Sequence, residues 1–211
     1  IGLGGAFHGA LSRARAATAG AFALTCVLEA ACFAAAYAAG DRVAVLAMAL
    51  RTTGAFGFSG LVAGWTFVAG VVVFPGAFVS GVQFPLLIAL LGKGRRGVGE
   101  QTARAYAANT VGAILGSIGG GFGLLPALSA PGCWRLITAL LALLGVAAAL
   151  LDPRASITRL RRFTPVGIAL AAGLLLLTRG PTAAWRHSPI GAGRVDAATL
   201  RSPAALHDWS N

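Results

Sequence analysis

Charge is scarce in this chain. Only 11% of its 211 residues are charged, and six of them are acidic, against about a quarter charged in ordinary soluble domains. Cysteine is scarce as well. Cys26 and Cys32 stand six residues apart, on different helical faces, and Cys133 sits at an expected helix end. That spacing gives neither a disulfide framework nor a set of metal ligands, so all three read as small buried residues and no metal is expected. His8, His187 and His207 are scattered and form no cluster with carboxylates. No glycine-rich loop follows a strand with an acidic residue downstream, and no aspartate pair is placed to hold a diamine. Gly119-Gly120-Gly121 falls inside an apolar run and is no phosphate cradle. No cofactor and no catalytic residue is expected within this stretch.

Apolar sequence is abundant instead, at 57% of the chain, with several uncharged runs of spanning length. The predicted fold class is all-α: a polytopic transmembrane helix bundle with about five visible spans, near 17–39, 60–91, 104–126, 136–151 and 164–178. The formal net charge of +11 would suggest nucleic acid in a soluble chain. Here the basic residues form short clusters between apolar runs, at Arg13 and Arg15, Lys93 to Arg104, and Arg154 to Arg162. That is the pattern of cytoplasmic loops. Nucleic acid is therefore excluded as a partner, and the lipid bilayer of a cell membrane, a bacterial inner membrane by expectation, takes its place.

The run Arg104 to Pro126 organises the rest. It carries no charge after Arg104 and is long enough to cross about 30 Å of hydrocarbon as a helix. Ala108, Gly112, Gly116 and Gly120 recur every fourth residue and share one face, beside a stripe of Asn109, Ala113, Ser117 and Gly121. Glycine costs about 1 kcal/mol per interior helix position against alanine, whereas small residues let helices approach closely in lipid. The ladder is thus expected to be the packing spine, against other helices of the chain or a second copy.

Taken in order, residues 1–16 read as a glycine-rich helix end entering a basic loop. The first full span follows, apolar but for Glu29 near its middle. Val43 to Leu50 is too short to cross and reads as an interfacial or extramembrane helix. Phe56 to Leu91 is interrupted by Pro75 and Pro85. Two short spans or one long, proline-kinked helix both fit it. Placing Arg13, Arg15 and the Lys93–Arg104 cluster on one side favours the single helix. A turn is expected at Ser129, Pro131 and Gly132, with Trp134 as an interfacial anchor. Residues 1–178 form the membrane region, and 179–211 read as a polar linker toward a C-terminal domain beyond this chain. An odd number of spans would put that linker on the side away from the basic loops.

Residues 84–126 also resemble a known family. Phe84-Pro85-Leu86-Leu87, a short basic loop, then Tyr106-Ala107-Ala108-Asn109-Thr110-Val111-Gly112-Ala113-Ile114-Leu115-Gly116-Ser117 and Gly121-Phe122-Gly123-Leu124-Leu125-Pro126 resemble the membrane region of fused spermidine-synthase-like proteins. These are multi-pass relatives of polyamine aminopropyltransferases, and their membrane part looks like a fragment of the major facilitator superfamily. Leu28-Glu29, Pro75 and Gly81 fit the same pattern. So do the opening IGLGGAFHGALSRAR and the tail from Trp185 to Arg194. The resemblance implies a Rossmann-like C-terminal domain that transfers an aminopropyl group from decarboxylated S-adenosylmethionine to putrescine. No position of this chain matches its catalytic residues, so the activity belongs to the expected parent protein.

Glu29 is the sharpest candidate residue. A charge at the bilayer centre costs about 2.5–3.5 kcal/mol on insertion scales, which makes an intramembrane carboxylate a functional hypothesis. Binding a cationic amine and relaying a proton both fit it, and so does a packing role against Asn109 or Tyr106. Tyr106, Asn109 and Thr110 complete the candidate substrate-binding set, with interhelical hydrogen bonding as the simpler role. A transporter-type module for a cationic or amphipathic solute and a membrane scaffold remain as alternatives, although no internal repeat of the transporter kind is visible.

Overall fold

A computed structural model describes residues 1–12, 17–91, 98–152 and 159–181. Every regular element among them is helical and no strand occurs. In chain order they are α1 (Gly2–Ser12), α2 (Ala19–Ala39), α3 (Arg42–Ala49), a 3-10 helix (Leu50–Phe56), α4 (Phe58–Leu91), α5 (Val98–Ile118), a π-helical segment (Gly119–Leu124), α6 (Leu125–Leu150) and α7 (Arg159–Leu176). Three stretches are long and apolar enough to cross a membrane: Ala19–Ala39, Phe58–Leu91 and Gly99–Leu150, with Phe163–Leu176 a shorter apolar helix.

The run from Phe56 to Leu91 is one helix from Phe58 onward. α4 passes through both Pro75 and Pro85 without interruption. Its 34 residues make about 50 Å, well beyond the hydrocarbon thickness. The expected spans at 104–126 and 136–151 join in one continuous stretch. The break between them falls at Ser129, whose φ of 60° and ψ of 169° lie outside helical space, inside the turn expected there. The π-helical segment coincides with the glycine triplet, where the missing side chains impose no local stiffness.

The chain divides into two compact units. The first comprises Ile1–Ala34 and Gly76–Leu174, the second Ala35–Pro75 and the residues from Leu175 onward. Nearly all of the expected linker lies outside the described residues, as do Arg13, Arg15, Lys93, Arg95, Arg96, Arg154, His187 and His207.

The first unit is built on one face of α2. Ala23, Cys26, Val27, Ala30 and Ala34 are fully buried, and their three- and four-residue spacing is that of a single helical stripe. Gly145 of α6 meets this stripe. A Cβ there would lie 2.6 Å from Val27 Cγ1 and 2.9 Å from the Ala23 carbonyl oxygen, so only glycine allows the two backbones to come this close. Trp134 Nε1 donates to the Phe33 carbonyl at 3.1 Å, which gives the expected interfacial anchor a protein partner. On the other flank Gly4 of α1 and Gly81 of α4 pack backbone to backbone, with the Phe7 and Phe78 rings in tilted contact, centroids 5.6 Å apart at 51°.

In the second unit Tyr37 and Ala44 are buried. Thr53 sits under the start of α4, its hydroxyl 2.6 Å from the Leu50 carbonyl and 2.8 Å from that of Gly60. Gly40, which directly follows α2, lies against Gly180, four residues beyond the end of α7, and Gly180 in turn lies against the Tyr37 ring.

Size is distributed inside out. The buried hydrophobic side chains are mostly alanine, while Phe58, Trp65, Phe67, Leu115, Phe122 and Leu143 are each more than half exposed. Water would drive the large side chains inward. A hydrocarbon solvent does not, because it is as apolar as they are and leaves close backbone packing to hold helices together.

Candidate functional site

α2 carries Glu29 on the edge of its buried stripe. Its residue exposure is 7%, and Cys26 and Ala30 on the same helix are fully buried. Burying a polar group in such a place costs about 1–3 kcal/mol unless it is hydrogen-bonded. The bond comes from α4. Gln83 Nε2 donates to Glu29 Oε2 at 2.6 Å, and Ser80, three residues earlier on the same helical face, is a second side-chain partner of the carboxylate. Both partners are neutral. Among the described residues the ion pair whose geometry is resolved joins Glu100 to Arg104 at 2.6 Å, on the exposed start of α5. It is of the i,i+4 surface kind that contributes about 0.5 kcal/mol or less.

The expected partners of Glu29 are elsewhere. Tyr106 turns its ring edge to Phe84, centroids 4.9 Å apart at 78°, and so fastens α5 to the end of α4. Thr110 donates to the Tyr106 carbonyl one turn back, at 2.9 Å. Asn109 is exposed. Thus Glu29 is joined to Gln83 and Ser80, and Tyr106, Asn109 and Thr110 form no part of that cluster. Gln83 is not among the residues expected from the sequence, although it is the one amide between Phe56 and Leu91 and lies eight residues before the end of α4.

The glycine ladder faces outward. Ala108 is exposed, and a Cβ at Gly112, Gly116 or Gly120 would meet nothing within 4 Å. Within the described chain the ladder packs no helix, and the close packing expected of it occurs at Gly145, Gly4 and Gly81 instead. All three cysteines are free thiols, and no group of three or more metal-binding side chains occurs among the described residues.

The arrangement is that of an all-helical chain of membrane-spanning dimensions with one carboxylate drawn into its apolar packing. Comparison with protein families, characterised proteins and solved structures yields no match.

Proposed function

We propose that this chain is a multi-pass membrane module that takes up a cationic amine at Glu29. One observation carries the reading: a carboxylate buried on a helix of spanning length whose partners among the described residues are the neutral side chains of Gln83 and Ser80. Neutral hydrogen bonds orient a carboxylate but bring no countercharge. An ammonium group would bring one, and in a low-dielectric site that attraction is much stronger than in water. The polyamine class is suggested by the resemblance of residues 84–126 to the membrane region of spermidine-synthase-like proteins. In that setting α2 and α4 form the binding element, and the aminopropyl chemistry of a parent protein would be performed outside this chain.

The same resemblance favours a second reading, in which the helices only anchor an aminopropyltransferase domain beyond residue 211. The tail pattern from Trp185 to Arg194 supports it. The two readings part on Glu29. Purified protein in nanodiscs should bind labelled putrescine, and Glu29→Gln should weaken that binding about tenfold or more, equivalent to about 1.4 kcal/mol. Flux of the label across proteoliposomes marks a transporter-type module. A folded Glu29→Gln protein that binds as the parent does leaves only the anchoring role.

A further inference from the structure

We infer that the Glu29 site balances a single positive charge and therefore selects a primary monoamine with an apolar chain over the diamine of the same length. The inference rests on the amine reading above and deepens it by fixing the charge of the ligand.

Glu29 is the eleventh of the 21 residues of α2. Ten residues separate it from Ala19, about 15 Å of helix, which is half of a hydrocarbon layer about 30 Å thick. Contacts within the first unit set the neighbouring helices in register with it. On α4, Gln83 donates to Glu29 and Gly76 lies against the Phe33 ring. From Gly76 to Leu91 the polar side chains are Ser80 and Gln83, both already on the carboxylate. On α6, Trp134 donates to Phe33 and Gly145 lies against Val27 and Ala23. Between those two positions α6 offers Arg135, a cation, and Thr138, whose hydroxyl donates to the Trp134 carbonyl at 2.8 Å. α1 meets α4 at Gly81 and Phe78 and carries no acid.

The other described carboxylates stand far off along the chain or the helix. Asp152 Oδ2 lies 2.9 Å from a Cβ placed on Gly20, and Gly20 precedes Glu29 by nine residues, about 13 Å of helix. Asp41 comes twelve positions after Glu29. Glu100 is exposed and paired with Arg104.

The two nitrogens of putrescine are joined by five bonds of about 1.5 Å, so they stand at most about 7 Å apart. With one ammonium at Glu29, the other remains within the hydrocarbon layer, short of Asp152 and of both ends of α2. There it meets no carboxylate among the described residues, and an unpaired buried charge is heavily penalised. Shedding its proton costs about a thousandfold at neutral pH, since a primary amine holds it up to about pH 10.4. n-Butylamine has the same chain length and ends in a methyl group. It supplies the countercharge to Glu29 and brings no second one.

Labelled n-butylamine and labelled putrescine test the charge count. Each is titrated at neutral pH into nanodisc-embedded protein, with binding to empty nanodiscs subtracted. Both are expected to bind saturably, butylamine at least about tenfold more tightly, and Glu29→Gln weakens both. Putrescine that binds as tightly as butylamine or more so, with Glu29→Gln still weakening both, overturns the single-charge inference and leaves the amine site standing. Saturable binding of neither amine, or binding that Glu29→Gln leaves unchanged, overturns the amine site and the inference with it.

Discussion

Gln83 reaches across from α4 to place its amide 2.6 Å from the Glu29 carboxylate of α2, joining residues 54 positions apart in the chain. The bond gives the buried Glu29 carboxylate a donor on a helix face where Cys26 and Ala30 are fully buried. It also fixes the register of two helices whose apolar surfaces alone would slide.

Removing the amide should therefore expose the cost of the acid. Gln83→Leu is expected to destabilise the detergent-solubilised protein by about 1–3 kcal/mol, the penalty of a buried acceptor left short of a donor. The double exchange Glu29→Gln with Gln83→Glu retains the pair in reverse and should recover at least half of the loss. Thermal unfolding of the three forms measures it.

Two kinds of glycine should respond in opposite ways. Gly145→Leu places a side chain into Val27 and the Ala23 carbonyl and should cost about 3 kcal/mol or more, or prevent folding. Gly116→Leu points into open space and gains helix propensity, so the chain's own fold should be as stable or slightly more so. If another copy covers the ladder, the same variant alters the oligomer seen by size exclusion while the unfolding midpoint holds.

Ser129 holds a φ of 60° and a ψ of 169°, a region that glycine occupies freely and other residues occupy at a cost of about 1–3 kcal/mol. Ser129→Gly should raise stability by about 1 kcal/mol. Ser129→Val, whose branched side chain resists this conformation more strongly, should lower it. Paired melting curves decide.

At the junction of Gly40 and Gly180, Gly180→Val combines a disallowed φ with a collision against Tyr37. It should loosen the end of α7 and make the chain cleavable near residue 180 in limited proteolysis, with cleavage near α6 unchanged.

Much of the helix layout was legible because length and hydropathy report directly on it. α2 coincides with the span expected at 17–39 within two residues, and charge parity correctly favoured one helix over Phe58–Leu91. The turn residues Ser129 and Pro131 marked the break in α6. Partner choice was not legible. Alanine occupies so many positions between Ala16 and Ala39 that no face of α2 stands out, although the Ala23–Ala34 stripe is the one the first unit buries. The ladder at Ala108 to Gly120 was conspicuous, yet small residues only permit a close approach and do not supply the neighbour. Likewise Glu29 announced itself by its charge, while Gln83, neutral and near the helix end, did not.

Equilibrium binding of labelled putrescine to nanodisc-embedded protein, measured side by side for the parent chain, Glu29→Gln and Glu29→Asp, puts the amine site to the question. Saturable binding that Gln weakens about tenfold or more and Asp largely preserves is the expected result. Equal binding by all three folded proteins, or none by the parent, would contradict the assignment of Glu29.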